Sequence, residues 1–261
     1  MKKIISGLLV LSMLFTLAGC SGASEPGNTQ ENSDNINIST PLSTNASSAD
    51  ENSLSSIAVG DTVKLGGSEW TVLELKDGKA LILSDKVLFK RAMHSSDRPI
   101  TWAECELREY MNGEFYDSTF SEDEKARIIE TTISTADNPW FPTENPEYPW
   151  YSRSGGADTK DKIFLLSIQE IAQFFGSSDE IEDRPVGAVF INDQYNDVRI
   201  AETAGGDASW WWLRSPGLFY SACGANFNHT AAIAAFGALN IQGEFVNNRG
   251  GGVRPALWLE I

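Results

Sequence analysis

The residues best suited to chemistry lie in one aromatic and basic run, WWWLRSP at residues 210–216. In a strand, alternate side chains face opposite sides, so Trp210 and Trp212 share one face while Trp211 and Leu213 share the other. One pair can build the core, and the other can form a platform that buries the apolar face of a sugar ring. Packing and sugar binding both fit the run, and Trp211 is the candidate for contact with a ligand.

Two arginines offer charged groups near tryptophans in sequence. Arg214 ends the tryptophan run, and Arg254 lies in GGGVRPALW at residues 250–258. A guanidinium is a planar fork of donors that can pair with a buried carboxylate or with carbonyls, and the same fork can hold a ligand. Both roles stay open, and both arginines are candidate ligand-binding residues.

A second aromatic cluster, NPWFPTENPEYPWY, covers residues 138–151. Its prolines prevent a regular helix or a central strand, so we expect a long loop. Aromatic residues on loops are frequent anchors for partners, which makes Trp140 and Trp150 candidate ligand contacts. The alternative is that these rings pack down onto the domain as a loop core.

Signals for catalysis are few. The chain has two histidines, His94 and His229, and it lacks a Gly-x-Ser-x-Gly elbow, a His-Glu-x-x-His pair and a glycine loop that could cradle phosphate. Cys223 and His229 could act as nucleophile and base, but no third residue is marked to orient them. We therefore predict no catalytic residue. Cys105 and Cys223 could pair in an exported protein or remain free thiols.

Hard oxygen ligands occur in the sequence NDQYND at residues 192–197. Their oxygens suit Ca²⁺, but the spacing differs from the EF-hand loop, and a solvated turn is the simpler interpretation. We predict no metal site and no cofactor.

The thiol of Cys20 has a different role. It closes the sequence LAGC of residues 17–20, after Lys2, Lys3 and an apolar stretch over residues 4–18. This order is typical of a secretory signal peptide, and the apolar stretch is shorter than the roughly 20 residues that span a bilayer. We expect a signal peptide over residues 1–19 and a mature protein that begins at Cys20; an uncleaved anchor is the alternative.

The pattern around Cys20 resembles that of bacterial lipoproteins, which implies a diacylglyceryl group on the Cys20 sulfur. Membrane lipid is then a partner, and the protein is held at the extracytoplasmic face of the cell membrane. Residues 20–56 are rich in Ser, Asn, Thr, Asp and Glu. Such a composition cannot bury enough apolar surface to fold, so we expect a disordered linker.

Acidic residues dominate the chain, with 36 Asp and Glu against 20 Lys and Arg and a net charge of −16. A surface of this sign repels the phosphate backbone, so we predict no nucleic-acid partner. It is compatible with cationic ligands, Ca²⁺ or neutral glycans, and charge alone does not choose among them.

Residues 57–261 read as the folded part, and strand patterns open and close it. Asp77 and Gly78 predict a tight hairpin between two apolar strands. The early strands are expected at 62–65, 70–75 and 79–83, a buried strand at 163–166, and the late strands at 186–191, 210–214, 230–235, 244–246 and 253–259.

Three capping boxes of the form Ser/Thr-x-x-Glu predict helices that begin at Thr101, Ser121 and Ser167. The first is expected to end at Asn112 and Gly113, the second at about residue 130, and the third at Gly176. Strands, then helices, then strands again predict an α+β fold that is rich in antiparallel β-structure, with about three helices in a single domain.

Five segments resemble the bacterial domain-of-unknown-function family 6273. They are WTVL at 70–73, TWAECELR at 101–108, DKIFLLS at 161–167, WWLRSPG at 211–217 and GVRPALW at 252–258. The resemblance covers residues 58–261. It implies an exported or surface protein and brings no established activity.

The tryptophan-arginine segment and the terminal GVRPA are also similar to the closing strands of C-type-lectin-like and formylglycine-generating-enzyme folds. This resemblance implies a compact α+β unit whose loops carry the binding surface. Formylglycine-generating enzymes depend on two neighbouring active-site cysteines in the C-terminal part, whereas here Cys105 lies far upstream of Cys223. The expected function is therefore a non-catalytic module that binds a glycan or a surface protein, and the alternative is a lectin-fold enzyme related to sulfatase-modifying proteins.

Overall fold

A computed structural model describes residues 57–138, 140, 154–182, 189–222 and 225–261, with the main chain alone at 219–222 and 225–228. The predicted signal peptide over 1–19, the predicted linker over 20–56 and the residues Cys20, Trp150 and Cys223 lie outside this part. None of the described helices combines the length and apolar character needed to cross a bilayer.

Strands make up most of the regular structure. They are β1 (Thr62–Leu65), β2 (Ser68–Lys76), β3 (Lys79–Ser84), β4 (Phe89–Lys90), β5 (Ile128–Ile129), β6 (Thr131–Ile133), β7 (Thr159–Asp161), β8 (Phe190–Ile191), β9 (Ala201–Glu202), β10 (Ala208–Ser209), β11 (Trp211–Ala222), β12 (Ala225–Ile233), β13 (Leu239–Phe245), β14 (Gly252–Val253) and β15 (Ala256–Glu260).

The helices are short. They are α1 (Glu106–Tyr110), α2 (Tyr116–Thr119), α3 (Glu122–Arg127), α4 (Ile168–Phe175), α5 (Asp179–Glu182) and α6 (Asn196–Arg199), with a 3₁₀ turn at Trp102–Glu104 and a π turn at Met111–Phe115. The prediction of an α+β fold rich in antiparallel strands is confirmed.

One sheet contains five strands in the order β1-β2-β3-β15-β5, and every neighbouring pair is antiparallel. The hairpin between β2 and β3 turns at Asp77 and Gly78, whose φ angles are 51° and 74°. Two successive positive φ angles match the right-handed twist of the flanking strands, which is why an Asp-Gly pair is favoured there. The predicted hairpin is confirmed.

The second large sheet contains six strands in the order β4-β14-β11-β12-β13-β8. Its central hairpin of β11 and β12 is antiparallel and contains two register shifts, and β14 lies parallel to β11. Trp211, Trp212 and Leu213 are all fully buried, so both faces of β11 are covered at this point. Residues 211–213 of β11 are therefore a continuous apolar run, without alternation of buried and exposed side chains.

Two of the three predicted capping boxes are present. The hydroxyls of Ser121 and Ser167 accept the N–H groups of Glu124 and Glu170, and each glutamate accepts the N–H of its serine in return. α4 follows Ser167 and ends before Gly176, as predicted, whereas α3 ends at Arg127 because the chain turns into β5.

The helix predicted from Thr101 to Asn112 is wrong at both ends. The Thr101 side chain accepts no cap hydrogen bond, and α1 begins after Cys105, whose sulfur accepts the N–H of Arg108. At the other end the helical path continues through the π turn into α2. Asn112 does not stop the helix because its side chain bonds outward to the main chain of Lys162 and Ile163.

Two strand predictions also need correction. Residues 163–166 are fully buried, as expected, but they form only an isolated bridge between Phe164 and Ala256 rather than a strand. The strand predicted over 253–259 is split into β14 and β15 by Arg254 and Pro255. Since β14 belongs to the six-stranded sheet and β15 to the five-stranded sheet, Arg254 lies where the chain passes from one sheet to the other.

Candidate functional site

An open groove of about 400 Å³ lies beside the segment that connects β3 to β4. The turn between β1 and β2 forms one wall, and the π turn with α2 forms another. This volume falls within the roughly 300–1,000 Å³ that is usual for small-molecule sites. We call it the Phe89 groove.

The deep part of the Phe89 groove is apolar. Val87 and Phe115 are buried there, and Phe89 is partly exposed. The Phe89 ring lies 5.1 Å from the Phe115 ring and 5.5 Å from the Tyr110 ring, with an edge-on arrangement toward Tyr110. Contacts with two rings hold Phe89 in place, so the position of this aromatic ring beside the groove is fixed before a ligand arrives.

The rim of the groove is polar and mainly acidic. Asp85 and Glu69 line it together with Lys86, whose ammonium lies 3.9 Å from Glu202. The Asp85 N–H donates to the Glu69 carbonyl at 3.0 Å, and the Thr71 hydroxyl donates to Asp85 Oδ1. These bonds fix the main chain and one carboxylate oxygen of Asp85 at the edge of the groove.

Arg254 lies behind this rim, not in the groove. Its Nε donates to the Ser84 carbonyl at 2.7 Å, and its guanidinium lies 5.1 Å from the Trp211 ring and 5.8 Å from the Phe175 ring. Burial lowers the pKa of Arg254 to about 10, and the negative charge of Asp85 opposes that shift. Arg254 thus contributes positive potential behind Asp85, and it is 7% exposed.

Trp211 is fully buried, and its Nε1 donates to the Arg199 carbonyl at 3.1 Å. It therefore leaves no ring face on which a sugar could stack. Trp210, on the other side of the strand, is partly exposed and meets Trp212 edge-on at 4.7 Å between ring centroids. The predicted sharing of one face by Trp210 and Trp212 is confirmed by this contact.

Arg214 joins three segments inside the protein. Its guanidinium donates to the Glu170 carboxylate on α4, to the Leu165 and Ser134 carbonyls and to the Thr135 hydroxyl. The residue is 5% exposed. Its donors are used by the protein, so this arginine holds Ser134 and Thr135 against α4 and β11.

Asn138 and Trp140, at the start of the aromatic cluster, are held by hydrogen bonds to three other segments. Asn138 Nδ2 donates to the carbonyls of Pro216 and Ile241, at 2.9 and 3.0 Å, and its Oδ1 accepts the N–H of Trp140. Trp140 is partly buried, and its Nε1 donates to the Ile181 carbonyl of α5 at 3.1 Å. Trp140 thus lies beside α5, away from the residues that line the Phe89 groove, and the rest of the predicted loop, from residue 141 to residue 151, lies outside the described residues.

His94 is buried beside the segment that precedes α1. Its Nε2 accepts from Arg98 Nε at 2.9 Å, so the neutral ring carries its proton on Nδ1, 3.5 Å from Glu106 Oε1. Hydrogen bonds from Ser95 to Glu106 lower the pKa of that carboxyl. His94 and Glu106 therefore each have a neighbouring side chain as a partner.

His229 lies on β12 with its ring edge-on to Phe245 at 4.5 Å. Burial lowers the pKa of His229, and the negative charge of Asp97 opposes the shift. Cys223, its suggested nucleophile, lies outside the described residues.

Cys105 is a buried free thiol. Burial raises its pKa to about 12, so it is protonated at neutral pH, and its sulfur caps α1 through the N–H of Arg108. A thiol in this state is a poor nucleophile.

The Asn-Asp segment before α6 also has a structural role. Asp193 Oδ2 accepts from Arg199 Nη2 at 2.9 Å and from the Ser178 hydroxyl at 2.6 Å. These bonds lower the pKa of Asp193 against the opposing effect of burial. The side chains of Asp193 and Arg199 are both fully buried, so the Asp193 carboxylate does not face solvent as the predicted solvated turn requires. In the described part of the chain, no group of His, Cys, Asp and Glu could hold a metal ion.

Sequence patterns did not identify the groove residues. Phe115 follows Leu107 and Met111 at intervals of four, and this helical spacing would have located it if Asn112 and Gly113 had not been taken as a stop. Asp85 and Phe89 belong to no local motif, because they meet the β1–β2 turn and Phe115 only in the folded chain.

Comparison with known proteins gives one match. No curated protein matches the chain, and no solved structure matches it. The family model for the domain of unknown function DUF6273 matches residues 77–261, which is more than half of the chain. The chain therefore belongs to the DUF6273 family.

Proposed function

We propose that this protein is a membrane-anchored extracytoplasmic lipoprotein whose folded part is a non-catalytic module that binds a glycan. The Phe89 groove carries the proposal, because it combines an aromatic ring of fixed position with carboxylate acceptors in a space of suitable size. Aromatic rings bury the C–H face of a sugar, and carboxylates accept hydrogen bonds from its hydroxyls.

The charge of the chain supports a neutral or cationic ligand over an anionic one. The net charge is −16, and Asp85 and Glu69 add local negative potential at the groove rim. An anionic sugar would be repelled at both scales, whereas hydroxyl groups are donors that a carboxylate can accept. We therefore propose a neutral glycan as the ligand class.

The finer fold is proposed to be C-type-lectin-like. Supporting this, the terminal GVRPALW segment closes the chain with β15, which pairs with β3 near the start of the folded part. In such a unit the ligand site lies among the connecting segments, and the Phe89 groove is made mainly from turns and short linking segments.

Binding is tested by applying the full chain, purified in mild detergent, to a glycan array and then titrating the strongest hit. Phe89→Ala and Asp85→Asn are each expected to weaken affinity by about tenfold or more, since each contact is worth roughly 1–2 kcal/mol. Phe245→Ala and Asp158→Asn are matched controls at exposed residues outside the groove. Equal affinity of groove and control variants would refute the assignment of the site.

The anchor is tested separately. Cells supplied with a clickable palmitate should label the wild-type chain and leave Cys20→Ala unlabelled, and only the wild type should remain in the membrane fraction. A Cys20→Ala chain that is labelled and fractionates like the wild type would contradict lipidation at Cys20.

A further inference from the structure

The end of the six-stranded sheet carries an exposed aromatic pair far from any role described so far. Phe190 on β8 is 43% exposed and Phe236, in the turn between β12 and β13, is 57% exposed. Their ring centroids lie 5.9 Å apart. Val189, next to Phe190 in sequence, and Val198, on α6, are 38% and 57% exposed. Exposed apolar side chains grouped in this way are typical of interaction surfaces.

α6 begins beside the turn that carries Phe236. The turn that carries Phe236 is closed by hydrogen bonds between Ala234 and Ala238 and between Gly237 and Ala234. The backbone at Gly237 lies so close to the Asn196 carbonyl that any Cβ there would collide with it. The patch therefore rests on a well-packed support and keeps its shape without a partner.

β8 also offers main-chain groups. It is the last strand of its sheet, with Asn240 opposite Phe190, and the Val189 carbonyl accepts the Ile241 N–H at 3.1 Å. In an antiparallel ladder, residues alternate between facing the partner strand and facing away from it. Because Val189 faces β13, the N–H and C=O of Phe190 point away from β13, toward the side of β8 on which no strand of the described residues pairs.

The surroundings of the edge are acidic. Asp179, Glu180 and Glu182 are exposed on α5, and Asp197 is exposed on α6. The Ser178–Asp193 hydrogen bond places the start of α5 beside the segment that follows β8. Among the described residues of 177–200 the only basic side chain is Arg199, which is buried and paired with Asp193.

We propose that this edge, defined by Val189, Phe190, Val198 and Phe236, binds an extended peptide segment of a partner protein in which basic and apolar residues alternate. The segment would add a strand beside β8 through the main-chain groups of Phe190. Its apolar side chains would cover the two phenylalanines, and its basic side chains would lie near the carboxylates of α5 and α6. This surface is separate from the Phe89 groove and does not depend on the proposed glycan site.

The test uses the full chain in mild detergent and a short fluorescent peptide of alternating lysine and valine, followed by anisotropy. The wild type should bind this peptide, should bind a glutamate-valine peptide at least about tenfold more weakly, and should lose affinity as salt is raised. A lysine-valine peptide with a central proline should also bind more weakly, because the added strand would lose a main-chain donor.

Substitutions then locate the site. Phe236→Ser and Phe190→Ser should each weaken peptide binding by about tenfold, whereas Leu75→Ser, at a residue 36% exposed on the other large sheet, should not. If Phe190→Ser does not fold, Glu180→Gln and Asp197→Asn, both at exposed positions, provide the second measure, with a smaller salt dependence expected for each.

Three binding results would overturn the proposed peptide site. Absence of peptide binding, equal binding of the lysine and glutamate peptides, or unchanged affinity in the phenylalanine variants would each reject it. Sedimentation that shows wild-type self-association abolished by Phe236→Ser would assign the edge to a second copy of the chain instead.

Discussion

Trp211 and Phe89 are aromatic residues of one continuous core, yet they serve opposite purposes. Trp211 is fully buried, and its one donor, the indole N–H, is bonded to the Arg199 carbonyl. Phe89 is held by two neighbouring rings, and part of its surface lines a groove. The residue with the stronger sequence signal is the buried one. A dense aromatic motif can therefore mark where two sheets are joined rather than where a ligand binds.

The arginines extend this contrast. Arg214 is saturated with acceptors from Glu170, Leu165 and Ser134, and Arg254 lies behind the groove rim with its Nε on the Ser84 carbonyl. The region around Trp211 is thus a structural joint, and the Phe89 groove is the region for which we propose binding. The first two predictions below separate a structural role from a role in ligand binding.

The largest effect is expected from Arg214→Ala. Removing the guanidinium leaves the partly buried Glu170 carboxylate and two carbonyls without their donor, which should lower the free energy of unfolding by about 3–5 kcal/mol. Urea denaturation measures it, with exposed Arg249→Ala as the control. A variant of normal stability that fails to bind glycan would instead make Arg214 a ligand contact.

A smaller effect is expected from Trp211→Phe, which removes the indole donor from the Arg199 carbonyl and leaves a space in the core. The free energy of unfolding should fall by about 1–3 kcal/mol with glycan affinity unchanged. Trp210→Phe, at the partly exposed neighbour, should cost less. The reverse order of the two losses would contradict the assignment of Trp211 to the joint.

Ser167→Ala should cost about 1 kcal/mol, because it removes the cap of α4 and the partner that orients Glu170 toward Arg214. Thr101→Ala is the matched control, since its side chain makes no cap hydrogen bond. Thermal unfolding of the two variants under identical conditions should show a lower midpoint for Ser167→Ala alone. Equal shifts would mean that the sequence motif, and not the formed cap, sets the effect.

The smallest effect concerns pH. Burial lowers the folded-state pKa of His229 below its ordinary value of about 6.5, so the unfolded chain binds more protons as pH falls through that value. The contribution of His229 to stability is present above about pH 6.5 and declines below it. His229→Phe should flatten the dependence of unfolding free energy on pH between about 7 and 5 and leave glycan affinity unchanged. An unaltered pH dependence would show that this ring does not titrate differently in the two states.

Local patterns in the sequence predicted what local chemistry decides. The Asp77-Gly78 hairpin and the capping boxes at Ser121 and Ser167 formed as expected, because each depends on residues within four positions of one another. The Thr101 box failed because Cys105 caps the helix instead, and residues 163–166 failed as a strand because Phe164 makes only an isolated bridge with Ala256. Those outcomes depend on tertiary neighbours that periodicity does not contain.

The candidate site was beyond the reach of local patterns for the same reason. Asp85 and Phe89 come from one segment and Phe115 from another, and the groove exists only where the β1–β2 turn meets them. The burial of Trp211 was equally hidden, since alternation along β11 assumes that one face of the strand is open. The residue types suggested that an aromatic side chain contacts the ligand. Only the packing of the two sheets decides which ring a ligand can reach.

The most direct test is to map the bound glycan by nuclear magnetic resonance on the isotope-labelled full chain. The account predicts that the largest amide shifts on titration fall at residues 67–69 and 85–89, with the indole N–H signal of Trp211 unmoved. Large shifts at Trp211, Arg214 and Arg254 with an unchanged groove would contradict it.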